Sequence, residues 1–347
     1  KGLAARSAMQ RGLTRPELAV LLAHAKLALD ADLLASGLPG RPEFADVLRA
    51  YFPPALRERF EAQIIAHPLR REIVATAVTN DLVNRAGLTF ISDMRARTGR
   101  TPDEIARAWR IVRAVFDLPS LWADIEALDN RVAARVQTEM LLEAAALVEH
   151  TAAWLLRANR IDIAAEIGRF RPMVAQIAGD LAALLPPTET AVVAERTAGF
   201  VAAGVPETLA QRVGGAIFLA TALEIADLAE RSARPLDRAA QLYFAVGARF
   251  GLDDMRAAAR RLPAETSWQK LAVEATVDDV FALQADLAAR VLAEGETEAD
   301  PVAAWARSRA AALAPAETLA AELRAATTPD LALLVVAARQ LRQALVP

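Results

Sequence analysis

Helix formation is clearest in residues 101–116, which read TPDEIARAWRIVRAVF. Apolar side chains recur there at a spacing of three or four positions: Ile105, Trp109, Val112 and Phe116. This spacing places them on one face of a helix, with the arginines between them turned away. Thr101 is followed three residues later by Glu104, and such a pair can satisfy two free backbone donors at a helix start. The stretch therefore predicts an amphipathic helix with a capped beginning.

The same periodicity extends over most of the chain. An apolar stripe of helical spacing comes early in the sequence: Leu18, Leu21, Leu22, Ala25, Leu29 and Leu33. Sustained alternation of β-branched and aromatic residues between turn signals, which is typical of strands, is not found. We therefore predict an all-α fold, a multi-helix bundle. Most aromatic residues fall at core-facing spacing and are expected to be buried: Phe44, Tyr51, Phe52, Phe60, Trp109, Phe116, Trp122 and Trp154.

One proline pair suggests a division of the chain. Pro186 and Pro187 must interrupt a helix, because proline lacks an N–H and restricts the residue before it. Before this point aromatic and proline residues are dense, whereas the remainder is plainer and richer in alanine. We predict two helical subdomains, residues 1–185 and residues 186–347.

Composition excludes several classes of protein. The chain has 347 residues, and its 40 basic and 43 acidic residues give a net charge of −3, so we expect neither nucleic acid nor membrane partners. There is no cysteine, which removes disulfides, thiol catalysis and thiolate metal sites and fits the cytoplasm. No apolar run reaches the roughly 20 residues that cross a bilayer. Because the sequence begins at Lys1 and not at Met, we expect a fragment of a longer protein.

Patterns that carry chemistry are weak. Gly214-Gly215 follows no strand and completes no phosphate loop, so close helix packing is the better interpretation. His24, His67 and His150 lack helical spacing to a carboxylate and are expected at surface or half-buried positions. The acidic pairs resemble the magnesium ligands of helical prenyl synthases, but alanine occupies the position of a further acid: Asp253-Asp254 with Ala257, and Asp278-Asp279 with Ala282. We predict no catalytic, cofactor-binding or metal-binding residue in this chain.

One polar cluster stands out within residues 70–87, which are apolar on more than one side of a helix. It consists of Asn80, Asp81, Asn84 and Arg85. Buried amides and charges need partners, at about 1–3 kcal/mol for each group left unsatisfied. One interpretation is local pairing of Asp81 with Arg85. The other is that the cluster meets a neighbouring domain or a ligand, and we carry it forward as a candidate interface.

Several literal stretches resemble the C-terminal helical region of the large bacterial NAD-specific glutamate dehydrogenases. They are GLTRPELAVLLA at 12–23, YFPPAL at 51–56, NDLVNRAG at 80–87 with TF at 89–90, FDLP at 116–119, ALDN at 127–130 and VQTE at 136–139. The match is dense from residue 12 to residue 154 and diffuse beyond Pro187. No catalytic residue is carried over, because the chain has no Gly-rich βα turn and no identifiable catalytic Lys and Asp pair.

The resemblance implies a parent enzyme that oxidises L-glutamate to 2-oxoglutarate and ammonia with NAD as cofactor. It also implies a homo-oligomer whose catalytic and nucleotide-binding domains precede Lys1. This chain would then be a non-catalytic domain with a structural, interdomain, oligomerising or regulatory role, and its partner would be the upstream catalytic domain. Two alternatives remain open: a free-standing helical scaffold that binds a protein through an apolar groove, and a helical enzyme for isoprenoid-like substrates.

Overall fold

A computed structural model describes residues 13–294, 300–325 and 330–345. Residue 12, which opens the first quoted motif, lies outside these ranges. Within them the chain forms twenty α-helices and two 3₁₀ turns, and no strand, which confirms the all-α prediction. In chain order, the first ten helices are Arg15–Ala35 (α1), Ala45–Tyr51 (α2), Pro54–Arg59 (α3), Glu61–Ile65 (α4), Arg70–Ala86 (α5), Phe90–Thr98 (α6), Pro102–Val115 (α7), Leu118–Glu126 (α8), Ala134–Arg157 (α9) and Ile163–Leu184 (α10).

The remaining helices are Pro187–Ala202 (α11), Glu207–Gly214 (α12), Ala216–Leu219 (α13), Ala222–Ser232 (α14), Leu236–Phe250 (α15), Leu252–Arg260 (α16), Ser267–Glu294 (α17), Pro301–Ser308 (α18), Ala310–Ala325 (α19) and Leu331–Gln343 (α20). The two 3₁₀ turns are Leu38–Gly40 and Pro42–Phe44. Among the described helices, none is long and apolar enough to cross a membrane.

The predicted helix start at Thr101 is confirmed. The Glu104 carboxylate accepts hydrogen bonds from the Thr101 backbone N–H at 2.9 Å and from the Thr101 hydroxyl at 2.9 Å. The backbone hydrogen bond is the main reason why the pKa of Glu104 is lowered from its ordinary value. Because the ionised carboxylate holds the first turn, the helix begins where the sequence predicts.

Contacts divide the chain into two compact units. Unit 1 comprises Lys1–Ala114 and Val148–Gly168, and unit 2 comprises Val115–Leu147 and Arg169–Pro347. The predicted break at Pro186 is confirmed, since α10 ends at Leu184 and α11 begins at Pro187. The division into subdomains 1–185 and 186–347 stays a prediction. Each compact unit instead combines two segments that are separated along the chain.

Unit 1 is built around α5, which packs against α1, α2 and the first 3₁₀ turn. Its core includes fully buried leucines from these elements, Leu33 and Leu82 among them. The second half of the early apolar stripe is therefore core, as Leu29 and Leu33 are buried. The first half is not, since Leu18 is 45% exposed.

The expectation for the aromatic residues is correct for only some of them. Phe44, Trp109 and Trp122 are buried, but Tyr51 is 61% exposed and Phe60 is also exposed. The remaining three, Phe52, Phe116 and Trp154, are half-buried. Tyr51 ends the seven-residue α2, and Phe60 separates the short helices α3 and α4. Helices this short offer no continuous face to a core, so helical spacing there does not predict burial.

Unit 2 has a polar network at its centre. The Tyr243 hydroxyl on α15 donates to Glu224 Oε2 on α14 at 2.7 Å, and the Gln284 amide on α17 donates to the Tyr243 carbonyl at 2.8 Å. Arg256 on α16 donates to Gln284 Oε1 at 2.7 Å. Glu224, Tyr243, Arg256 and Gln284 are all buried. Because these bonds join four helices, the network fixes how α14, α15, α16 and α17 pack.

The glycine pair packs tightly, as predicted, although Gly214 ends α12 and Gly215 lies between helices. A Cβ atom on Gly214 would lie 2.7 Å from the Thr197 hydroxyl of α11, and one on Gly215 would lie 2.8 Å from a Leu181 methyl carbon. Distances this short leave no room for a side chain. Gly214 therefore lets α12 approach α11 closely, and Gly215 lets the chain after α12 approach α10.

Candidate functional site

The predicted polar cluster lies on the second half of α5. One line of this helix is buried, namely Val74, Val78 and Leu82. The second apolar line is not: Leu69 before the helix is exposed, and Ile73 and Ala77 are half-buried. The helix therefore has one buried side and a partly exposed one, and the expectation of burial on more than one side is only partly correct.

Two members of the cluster are bound by other helices. Asn80 Oδ1 accepts a hydrogen bond from Lys26 Nζ of α1 at 2.8 Å. Asp81 Oδ2 accepts a hydrogen bond from Trp109 Nε1 of α7 at 3.3 Å and lies 3.1 Å from Arg113 Nε of the same helix. These contacts join α5 to α1 and to α7 within unit 1.

The other two members lie nearer to solvent. Asn84 is exposed and Arg85 is half-buried, and both lie in the last turn of α5. The helix ends at Ala86, and Gly87 has a φ of 100°, a conformation that favours glycine. The four residues therefore do not converge on one point, and the interface role of Asn80, Asp81, Asn84 and Arg85 stays a prediction.

Asp81 also lines a pocket of about 290 Å³ in unit 1. The pocket lies between the second 3₁₀ turn, α2, α5 and α7. Three aromatic rings line it: Phe44, Tyr51 and Trp109. So do four charged side chains: Asp46, Asp81, Arg110 and Arg113. The guanidinium of Arg110 pairs with the carboxylate of Asp46, so the two arginines and two aspartates form two ion pairs at the pocket.

Sequence reasoning singled out Asp81 but missed its neighbours in this pocket. The sequence pattern places Arg110 and Arg113 only among the arginines that turn away from the apolar face of α7. A usable signal was their spacing: they flank one side of the helix three residues apart, beside the buried Trp109. Asp46 lies 64 residues before Arg110, and no local pattern connects the two.

The residues considered for metal chemistry do not gather. Within the described ranges, no group of three or more His, Asp or Glu side chains is placed to hold a metal ion. Asp253 and Asp254 lie in the first turn of α16, and Asp253 binds Arg256 at 2.5 Å. His24 is exposed and His67 is half-buried, but His150 is buried, contrary to expectation. It lies on α9, whose neighbouring residues Ala152 and Ala153 are fully buried.

A dinucleotide does not fit the glycine-rich positions of this chain. Binding of a pyrophosphate requires open backbone N–H groups at the start of a helix, usually after a strand. The space beside Gly214 and Gly215 is filled by Thr197 and Leu181, and the described residues form no strand. Gly214 and Gly215 therefore offer no open backbone to a pyrophosphate.

The described residues define a class: an all-α domain of two compact units. Residues 10–343 match the family model described as glutamate dehydrogenase, C-terminal. The chain belongs to this family, and the resemblance inferred from the literal motifs is confirmed.

Similar proteins are much longer than this chain. An NAD-specific glutamate dehydrogenase of Mycobacterium tuberculosis is 37% identical over 348 residues, which is 99% of this chain and 21% of that protein. The NAD-specific glutamate dehydrogenase of Pseudomonas aeruginosa is 35% identical over 98% of the chain and 21% of its own length. The NAD-specific glutamate dehydrogenase of Halomonas elongata is 37% identical over 288 residues, which is 83% of this chain and 18% of that protein. The chain thus spans about a fifth of these relatives.

Proposed function

We propose that this chain is the C-terminal, non-catalytic helical domain of an NAD-dependent glutamate dehydrogenase. The parent enzyme would oxidise L-glutamate to 2-oxoglutarate and ammonia and pass a hydride to NAD. The chemistry would belong to the upstream part of the parent, because the matched stretch is a C-terminal one and covers 21% of a relative with this name. We expect a cytoplasmic homo-oligomer, in which this domain is inactive alone.

We further propose that α1 docks on the upstream part of the parent chain. The observation that supports this is an uncovered apolar helix. At 3.6 residues per turn, Leu18 and Leu22 share one side of α1 with the buried Leu29 and Leu33. The same stripe is thus covered in the second half of α1 and exposed in the first.

The opposite side of α1 is apolar as well. Val20 is exposed, and Leu27, seven residues later on the same side, is 67% exposed. A helix segment that carries large apolar side chains on two sides is typically buried. We call Leu18, Val20, Leu22 and Leu27 the α1 apolar face, and we propose that it is covered in the full-length protein.

The upstream segment is the occupant that we favour over a second copy of this chain. About four-fifths of a 37% identical relative lies outside the matched stretch, so a large surface of the same polypeptide is present at high effective concentration. A second copy would have to associate at its solution concentration. A free-standing scaffold would use the same face for a different protein.

Hydrogen exchange in α1 tests this proposal. We expect amide exchange in residues 15–27 to be at least tenfold slower in the full-length protein than in the separately prepared chain, because a docked helix opens less often. The double variant Leu22→Asp and Leu27→Asp should raise exchange in the full-length protein to the level of the separate chain. Leu27 is 67% exposed but Leu22 only 37%, so the same double variant of the separate chain measures how much of the change arises within unit 1.

Leu142→Asp is the matched control, since Leu142 on α9 is 63% exposed and lies outside the α1 apolar face. It should leave exchange in α1 unchanged. Equal exchange rates for α1 in the full-length protein and in the separate chain would contradict docking. Protection that appears only as the concentration of the separate chain rises would favour a second copy instead.

A further inference from the structure

Residues 51–69 of unit 1 form a segment that is almost uncovered, and we call it the α3–α4 arm. It contains α3, α4, the last residue of α2 and the turns between α2 and α5. Within the arm only Ile64 is buried, and Phe52, Arg57 and His67 are half-buried. The exposed residues include five large apolar side chains, which are Tyr51, Leu56, Phe60, Ile65 and Leu69.

Polar and aromatic contacts order the arm. Arg57 donates from Nε to the Phe52 carbonyl at 2.6 Å and from Nη2 to the Ala50 carbonyl at 2.9 Å, which closes the end of α2. His67 Nδ1 accepts a hydrogen bond from the Leu69 backbone N–H at 3.1 Å, and its ring centre lies 5.7 Å from that of Phe52. These contacts fix the backbone but leave the large apolar side chains in solvent.

The two helices of the arm have six and five residues. In water, isolated helices shorter than about 12 residues are marginal, and most helix stability in proteins comes from packing of an apolar face. Here α3 has no buried residue and α4 has one, Ile64. Because α2, α3 and α4 contact one another, their exposed apolar side chains lie on neighbouring helices. Apolar groups exposed together in this way are typical of a surface that another protein segment covers.

The upstream part of the same polypeptide is the occupant best placed to cover the arm, and this argument rests on the proposed function. The first described helix, α1, belongs to unit 1, so the upstream part of the proposed parent is attached to the unit that carries the arm. About four-fifths of a 37% identical relative lies outside the matched stretch. A large tethered segment meets the arm at high effective concentration, whereas a second copy must associate from solution.

We propose that the α3–α4 arm is a docking surface for the upstream part of the same polypeptide, in addition to the α1 apolar face. The upstream part covers the five large apolar side chains and completes the packing of α3 and α4. Tyr51 and Phe60 supply the aromatic rings that protein interfaces favour. The exposed Glu58 and Arg59 supply charges of both signs, so the arm fits an apolar protein surface better than nucleic acid.

Photo-cross-linking in the full-length protein tests this inference. p-Benzoylphenylalanine replaces Tyr51 in one variant and Leu69 in another, and these side chains are 61% and 56% exposed, so little burial within unit 1 is lost. Irradiation should link both positions to peptides upstream of Lys1, at the mass of a single polypeptide on a denaturing gel. The matched control carries the same group at Ala96, which is exposed on α6, and should give at most a tenth of this product.

Trypsin cleavage after Arg59 in the full-length protein is a second measurement. Arg59 is exposed and α3 has no buried residue, so only docking would protect this bond from local opening. Cleavage should be at least tenfold faster in the double variant Leu56→Asp and Leu69→Asp than in the unchanged protein. Ala96→Asp should leave the rate unchanged.

Several results would overturn the proposal. They are links from Tyr51 and Leu69 no more frequent than those from Ala96, links only within residues 1–347, links to a second copy at doubled mass, and an unchanged cleavage rate after Arg59 in the double variant. Glutamate-dependent NADH formation, measured on the same preparation, tests the proposed function separately. A failure of docking and a failure of the proposed function are therefore distinguishable.

Discussion

In the Arg256→Ala variant, the free energy of unfolding of unit 2 is expected to be about 2–4 kcal/mol lower than in the unchanged chain. Arg256 is 4% exposed, and its guanidinium binds Gln284 and Asp253. It also lies 4.2 Å from the centre of the Phe281 ring. Truncation removes this packing. It also leaves the buried Gln284 amide oxygen without the hydrogen bond that Arg256 donates. Hydrogen exchange of peptides from α14 to α17 measures the loss for unit 2 separately.

Two further variants separate the causes. Arg261→Ala changes an exposed arginine directly after α16, and should alter stability by less than about 0.5 kcal/mol. Arg256→Met keeps an unbranched apolar side chain that can pack on Phe281, and it should recover part of the loss, leaving the share that belongs to the guanidinium contacts. If Arg256→Ala and Arg261→Ala have the same stability, the network does not hold unit 2 together.

Tyr243 is expected to make unit 2 sensitive to alkaline pH. Burial is the main reason why the pKa of the Tyr243 phenol is raised well above its ordinary value of 10.0, and the negative charge of Glu224 adds to it. Because the folded pKa exceeds the unfolded one, the stabilisation is complete below pH 10.0 and is lost as pH rises toward the folded pKa. In that pH range, the free energy of unfolding should fall by about 1.4 kcal/mol per pH unit.

Tyr243→Phe should remove this dependence on alkaline pH. At neutral pH the variant should be about 1.5–3 kcal/mol less stable, because the buried Glu224 carboxylate no longer accepts a hydrogen bond from the phenol. Tyr51 is a natural control, because the chain has two tyrosines and Tyr51 is exposed. Tyr51→Phe should retain the alkaline dependence in urea unfolding measured from pH 8 to pH 11. A slope that Tyr243→Phe leaves intact would contradict the assignment to this phenol.

Much of the fold could be predicted from local patterns. The capping pair Thr101 and Glu104 marks the start of α7, and Pro186-Pro187 marks the gap between α10 and α11. Helical periodicity also predicted the all-α class. These features depend on residues within one or two turns of each other, so a sequence contains them directly.

The site was less predictable, because its contacts join distant segments. Asp46 meets Arg110 and Asp81 meets Arg113 only after α2, α5 and α7 have packed. Burial of a stripe was equally hard to predict: the pattern at Leu18 and Leu22 is the same as at Leu29 and Leu33, but only the second pair has neighbours that cover it. Periodicity gives the apolar side of a helix and not the element that covers it.

The central claim is that this chain is a helical domain whose parent carries the hydride chemistry elsewhere. Its most direct test is formation of NADH from L-glutamate and NAD, measured for the purified chain and for the full-length protein side by side. The account predicts glutamate-dependent NADH formation by the full-length protein and none by the chain alone. Sustained NADH formation by the 347-residue chain would contradict it.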